Sequence, residues 1–209
     1  MNLLVFGSTG GTGRHLVELA LARGHVVTAF ARDPAKLDIG HADLKVVRGD
    51  VMDLASVERA MQGQEAVLSA LGTPASKKDT LRSDGTLNII RAMEKAGVRR
   101  FVCQSSLGIG DSRDILPFHY KYIIVPVILR HAFADHERQE NYVKQSQLDW
   151  TIVRPGNLTN GKRTGVYRHG FAVTDKAIKL RISRADVADF TLKQLADDTY
   201  FYETPGVSY

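Results

Sequence analysis

The sequence predicts an α/β fold: a single doubly wound parallel sheet with helices on both faces, built by residues 1–209 as one domain. Three observations predict it. Short apolar runs alternate with stretches of helical periodicity from the first residues onward, and that alternation makes parallel strands joined by right-handed crossovers. A glycine-rich turn, Gly7 to Gly13, separates the first apolar run from the first helical stretch. The length, with 44% hydrophobic and 24% charged residues, suits one globular unit that buries its own core.

The elements follow in order. Residues 2–6 read as a buried strand and 14–23 as a helix, with Leu16, Leu19 and Ala20 at helical spacing. Gly24 ends that helix. Residues 25–31 and 44–47 are the second and third strands, and Asp53 caps a helix running to about Gln62. The fourth strand is 66–71. Ser83 or Asp84 opens the next helix, which carries Ile89, Met93 and Ala96 on one face and stops at Gly97. Strands five and six are 98–104 and 150–154; between them, 107–125 reads as loop and 128–147 as helix. A glycine-rich segment runs from Pro155-Gly156 to Gly170. The last helix starts at Ser183, where Asp186 stands in the glutamate position of a capping box, and Val187, Phe190 and Leu195 face the core.

Several classes are excluded on composition. Cys103 is the one cysteine, so an intrachain disulfide and a cysteine-rich metal centre are ruled out, and a reducing, cytoplasmic setting is expected. Residues 1–6 lack the basic region and cleavage site of a leader. The longest apolar run, Ile123 to Leu129, contains a proline and is too short to span a bilayer. The net charge of +5 comes from scattered residues without a nucleic-acid motif. It suits attraction of an anionic cofactor or substrate rather than nucleic acid or membrane. His119, His131 and His136 lack metal-ligand spacing, and no metal is expected. No coiled coil or exposed apolar stripe is evident, which leaves monomer or weak homodimer.

The spacing Gly7-x-x-Gly10-x-x-Gly13 leaves a strand and enters a helix, the context of a Rossmann dinucleotide fingerprint. Gly7 permits the tight turn, Gly10 the approach of a pyrophosphate, and Gly13 close packing of helix on sheet. Thr9 and Thr12 stand among these glycines, at a helix N-terminus whose free N–H groups favour phosphate. NAD-binding domains place an acid about 20 residues on, against the ribose 2′-OH. Here Arg32 stands 19 residues past Gly13, with Lys36 nearby, and an arginine suits a 2′-phosphate. NADP(H) is therefore expected; Asp33 keeps NAD(H) possible.

Gly7-Ser8-Thr9-Gly10-Gly11-Thr12-Gly13, Ala31-Arg32-Asp33, Gly49-Asp50-Val51, Leu71-Gly72-Thr73 and Ser105-Ser106 resemble the atypical short-chain dehydrogenase/reductases. Within them the sequence is similar to the NAD(P)H-binding group of biliverdin-IXβ reductase (flavin reductase) and NmrA-like proteins. Residues 150–156 and 183–188 extend the similarity nearly end to end. The resemblance implies Asp50 and Val51 at the adenine and Leu71, Gly72 and Thr73 along the middle of the cofactor. It puts Ser105, Ser106, Pro155, Asn157 and Leu158 around the nicotinamide. Asp50 also reads as a turn-capping acid, and Pro155-Gly156 as a strand terminator.

The superfamily's Tyr-x-x-x-Lys pair is replaced at the corresponding spacing by His136 and Glu140. That argues against an alcohol dehydrogenase or epimerase. It fits a conjugated hydride acceptor, such as a flavin taken as substrate, a bilin or a quinone, which needs positioning more than acid catalysis. Ser106 and His136 are the candidate catalytic residues; Ser106 also reads as a strand-end cap, His136 as a surface residue and Glu140 as an ion-pair partner. The group often has a histidine where this chain has Asn157, which weakens bilin turnover more than flavin turnover. The segments 106–129 and 155–172 are the expected substrate-side loops. Phe118, Tyr120 and Tyr122 are available there to stack on a planar acceptor. The alternative is a dinucleotide-sensing regulator without catalysis.

Overall fold

A computed structural model describes residues 1–74, 78–175 and 177–209. Five strands and the helices between them come first: β1 (Asn2–Phe6), α1 (Gly11–Ala22), β2 (Val26–Ala31), β3 (Leu44–Arg48), α2 (Leu54–Met61), β4 (Ala66–Ser69), α3 (Leu81–Ala96) and β5 (Arg100–Gln104). A short 3₁₀ turn (Gly110–Ile115) and a wide i→i+5 helix (Tyr120–Leu129) then lead into α4 (Arg130–Gln145). The chain ends with β6 (Asp149–Pro155), β7 (Asn157–Thr159), β8 (Arg168–His169), β9 (Arg181–Ser183), α5 (Arg184–Lys193) and β10 (Gly206–Ser208).

The main sheet has eight strands in the order β3-β2-β1-β4-β5-β6-β10-β8. Every neighbour pair is parallel except β10 with β8. A separate parallel pair joins β7 to β9. The order reverses between β1 and β4, so a crevice opens above the C-terminal ends of those strands, where open α/β sheets bind ligands.

Alternation along buried strands feeds two cores. Leu4 and Phe6 of β1, with Val67, Phe101 and Ile152, face α2, α3 and α4. Leu3 and Val5, with Leu68, Val102 and Val153, face α1 and α5. Because successive side chains point to opposite faces, both cores are apolar and the strands read as unbroken hydrophobic runs.

The structure corrects several sequence expectations. α1 begins at Gly11, inside the glycine turn. α3 begins at Leu81, ahead of Ser83, because its cap is tertiary. The Asp135 carboxylate of α4 accepts from the N–H groups of Arg82 and Ser83 and from the Ser83 hydroxyl at 3.2, 3.1 and 2.6 Å. Ala96 is exposed rather than core-facing. Residues 120–125, read as loop, are helical, and the wide turn accommodates Pro126, which a regular helix excludes.

The capping box is half formed. Ser183 Oγ accepts from Asp186 N–H at 3.0 Å, but the Ser183 N–H donates to Tyr209 Oη. The short Asp186 side chain instead accepts from Thr164 and Gly165 N–H, each at 2.8 Å, tying the 155–172 loop to α5. Leu195 lies beyond the end of α5, partly buried against the core.

Candidate functional site

The turn between β1 and α1 is shaped by what it lacks. Gly7 has φ +72°, and a Cβ there would sit 2.4 Å from the Ala70 carbonyl oxygen. A Cβ on Gly13 would sit 2.0 Å from the Gly7 oxygen, so helix and strand touch through backbone alone. Ser8 Oγ donates to the Phe30 carbonyl at 2.9 Å and fixes the turn to β2. No side chain caps α1 and no acid stands in its first turn, so its leading N–H groups are left for an anion. Backbone donors, a glycine floor and a positive helix end fit a dinucleotide pyrophosphate.

The crevice above this turn is a cleft of about 800 Å³. At one end stand Arg32 and Lys36, together with the Phe30 ring and Gly49. The Asp33 carboxylate is exposed, 3.7 Å from Lys36 Nζ, and does not line the cleft. In the middle are Thr9, Gly10 and Thr12 on one side and Val51, Leu71, Gly72 and Thr73 on the other. At the far end Ser105, Ser106 and His136 meet Pro155, Asn157 and Leu158. Two residues expected at the cofactor lie outside the cleft. Gly13 is packed beneath the turn, and Asp50 caps its own turn, with Oδ1 accepting from Met52 N–H at 3.0 Å.

The cleft also holds residues that sequence reasoning did not single out. Arg82 is buried; it donates to the Thr73 hydroxyl at 3.0 Å and to the Thr73 carbonyl at 2.9 Å. Its sequence position, at the opening of a helix, carries no sign of this. Arg184 lies across Gly11 from the start of α5 and donates to Asn160 at 2.6 Å.

At the far end His136 Nδ1 lies 3.2 Å from Gln139 Oε1 and 3.4 Å from Ser105 Oγ. Burial, then the nearby Arg82 guanidinium, pushes its pKa down to about 4, so the ring is neutral near pH 7. Glu140 is out of reach of the cleft. It makes a two-pronged pair with buried Arg154, at 2.9 and 2.6 Å, and a further contact with Lys144. Burial raises its pKa, but the Arg154 contacts outweigh that and hold the carboxyl below its ordinary range. The His136–Glu140 spacing therefore does not supply an acid–base pair.

Beside Ser106, Pro155 and Asn157 a smaller apolar pocket adjoins the cleft, walled by Leu107, Leu116, Tyr120 and Phe133. Of the three aromatic residues expected to stack there, only Tyr120 lines it; its hydroxyl accepts from Asn157 Nδ2 at 3.4 Å. Phe118 and Tyr122 pair with each other on the outside at 74% and 57% exposure. With Ile123, Val127 and Ile128 they form an exposed apolar stripe that the sequence reading did not foresee. No helix among the described residues is long and apolar enough to cross a membrane.

Comparisons with known proteins place the chain in a nucleotide-binding family. The model of a family described as NAD(P)H-binding matches residues 7–198. A chloroplast protein of Arabidopsis thaliana is 33% identical over 78% of this chain and 61% of its own length. A Saccharomyces cerevisiae protein is 27% identical over 93% of this chain and 87% of its own length. A photosystem II assembly factor of Synechocystis is 28% identical over 77% of this chain, which spans only 46% of that relative. Among solved structures, an anaerobilin reductase of Escherichia coli O157:H7 superposes with a TM-score of 0.75 at 26% identity, covering 100% of this chain and 97% of that one. A Lactococcus lactis oxidoreductase superposes at 0.83 with 22% identity over 100% and 90% of the two chains, a likeness of fold.

Proposed function

The chain belongs to the family described as NAD(P)H-binding, and we propose that it is an NADPH-dependent reductase whose hydride acceptor is a flavin or a similar planar conjugated molecule, such as a bilin or quinone. One observation carries the reading: a single cleft runs from two cations, Arg32 and Lys36, to an apolar pocket at Ser106 and Asn157 with no acid–base pair beside it among the described residues.

When bound, NADPH supplies the hydride. The residues of the chain do the rest. The Gly7–Gly13 turn and the α1 N-terminus hold the phosphates, and Arg32 with Lys36 takes the 2′-phosphate. Arg82 keeps the Thr73 wall rigid. Ser106, Pro155 and Asn157 orient the acceptor edge, while Leu107, Leu116 and Tyr120 keep water from its apolar face. With His136 neutral and Glu140 locked on Arg154, any proton needed by the reduced acceptor comes from water. That limits the substrate to acceptors that spread the incoming charge themselves.

A second reading, a dinucleotide sensor that docks a protein partner, draws on the exposed Phe118–Ile128 stripe beside the cleft. NADPH oxidation separates the two, followed anaerobically with FMN, biliverdin or a simple quinone, and with NADH as control. Turnover of one acceptor supports the reductase. Tight NADPH binding without any turnover replaces it with the sensor.

A further inference from the structure

From behind the cleft wall to its surface a line of polar groups runs from buried Arg154, Glu140 and Ser105 to half-buried His136, and nothing in the reductase reading requires it. The Glu140 carboxylate is held by the Arg154 guanidinium and is therefore an acceptor only. The Ser105 hydroxyl contributes to keeping that carboxylate ionised, and since an ionised carboxylate only accepts, a hydrogen bond between the two takes its hydrogen from Ser105. Its oxygen then presents a lone pair to His136 Nδ1, 3.4 Å away. Gln139 agrees from the other side. Its amide nitrogen donates to Thr86 Oγ1 and lies against Cys103 Sγ, both at 3.2 Å, which turns its Oε1 toward the same Nδ1. Two acceptors aimed at one ring nitrogen require that nitrogen to carry the hydrogen. The other, Nε2, has no hydrogen-bond partner among the described residues, and His136 lines the cleft.

We infer that Glu140 and Ser105 are positioning residues that hold His136 as its Nδ1–H tautomer, so that Nε2 offers a bare lone pair to an N–H donor of a bound molecule. This rests on the dinucleotide-reductase reading and sharpens it: His136 selects by accepting a hydrogen bond and does not donate a proton. Two sources have the required chemistry, the carboxamide N–H of a nicotinamide and a ring or lactam N–H of the hydride acceptor. A quinone has neither.

The test reads the tautomer directly, by two-bond proton–nitrogen correlation spectra of the ¹⁵N-histidine-labelled chain near pH 7. The expected His136 pattern is a protonated Nδ1 and an unprotonated Nε2. The reverse pattern overturns the inference whether or not the protein reduces anything. In Ser105→Ala the Nε2–H form, favoured by free histidine, should become detectable; an unchanged spectrum removes Glu140 and Ser105 from the account. Adding NADP⁺ alone, then FMN or biliverdin, should shift the Nε2 resonance at one of the two steps, and the step identifies the donor. No shift at either step overturns the N–H assignment. His136→Phe should weaken the ligand responsible about tenfold by titration, while His136→Gln, which keeps an acceptor oxygen, stays within a few fold. Equal loss in both variants counts against it. Failure of turnover with the expected tautomer present defeats the reductase reading alone.

Discussion

The two ends of the cleft are built by different means. The phosphate end is made of backbone. Glycines let β1, α1 and the Ala70 carbonyl touch, and the candidate binding groups are main-chain N–H donors set by the seven consecutive residues Gly7 to Gly13. The far end is made of side chains brought from distant positions: Ser105 after β5, His136 on α4 and Tyr120 on the wide helix line it, and the Glu140–Arg154 pair between α4 and β6 lies behind them. A backbone cradle fails when an atom is added. A side-chain network fails when one is removed. Each variant below tests one half of that contrast.

The largest effect belongs to the far end. Glu140→Ala leaves the Arg154 guanidinium buried without its main partner, which costs about 3–5 kcal/mol of stability. Chemical denaturation should show a lowered midpoint. A loss under about 1 kcal/mol, typical of exposed pairs, would remove the contrast. At the phosphate end, Gly13→Ala adds one methyl group against the Gly7 oxygen. It should cost about 1–3 kcal/mol of stability and weaken NADPH binding at least tenfold by calorimetry, because the turn must open to admit it.

Arg32→Ala removes the cation that the reductase proposal assigns to the cofactor's 2′-phosphate. Loss of a charge-assisted hydrogen bond worth about 1.5–3 kcal/mol should raise the NADPH dissociation constant roughly 10- to 100-fold and leave NADH nearly unchanged. Equal weakening of both would move the 2′-phosphate away from Arg32.

A pH series sharpens the far end further. His136, which faces Arg82, Asp135 and Glu140, has a pKa near 4 in the folded protein against 6.5 unfolded. Between those values the unfolded chain takes up a proton that the folded chain refuses. Stability therefore falls as pH drops from about 6.5 to about 4, and this group contributes no slope above that window. His136→Gln should flatten this part of the curve. The smallest effect is expected outside the cleft. Phe118→Ser should change stability by no more than about 0.5 kcal/mol while reducing any concentration-dependent self-association seen by ultracentrifugation.

The contrast also explains what could be read in advance. The strand–helix alternation, the Asp53 cap, the fingerprint turn and the Arg32 position all depend on neighbours within a few residues, so each was visible along the chain. Departures occurred where a partner came from far away. α3 starts early because Asp135, from another helix, caps it. Asp186 leaves its capping box because Thr164, Gly165 and Tyr209 compete for its carboxylate. β10 was missed because three residues become a strand only beside β6.

By itself the sequence determined the doubly wound order of elements and the place of the phosphate turn, since hydrophobic periodicity and glycine sterics act locally. Tertiary structure alone decided that Glu140 is spent on Arg154, that Arg82 braces Thr73, that Tyr120 lines the pocket while Phe118 and Tyr122 face outward, and which nitrogen of His136 finds partners among the described residues. Those outcomes depend on which groups meet in a dry interior, where an unpaired charge is costly, and the pairing is set by packing among segments far apart in the chain.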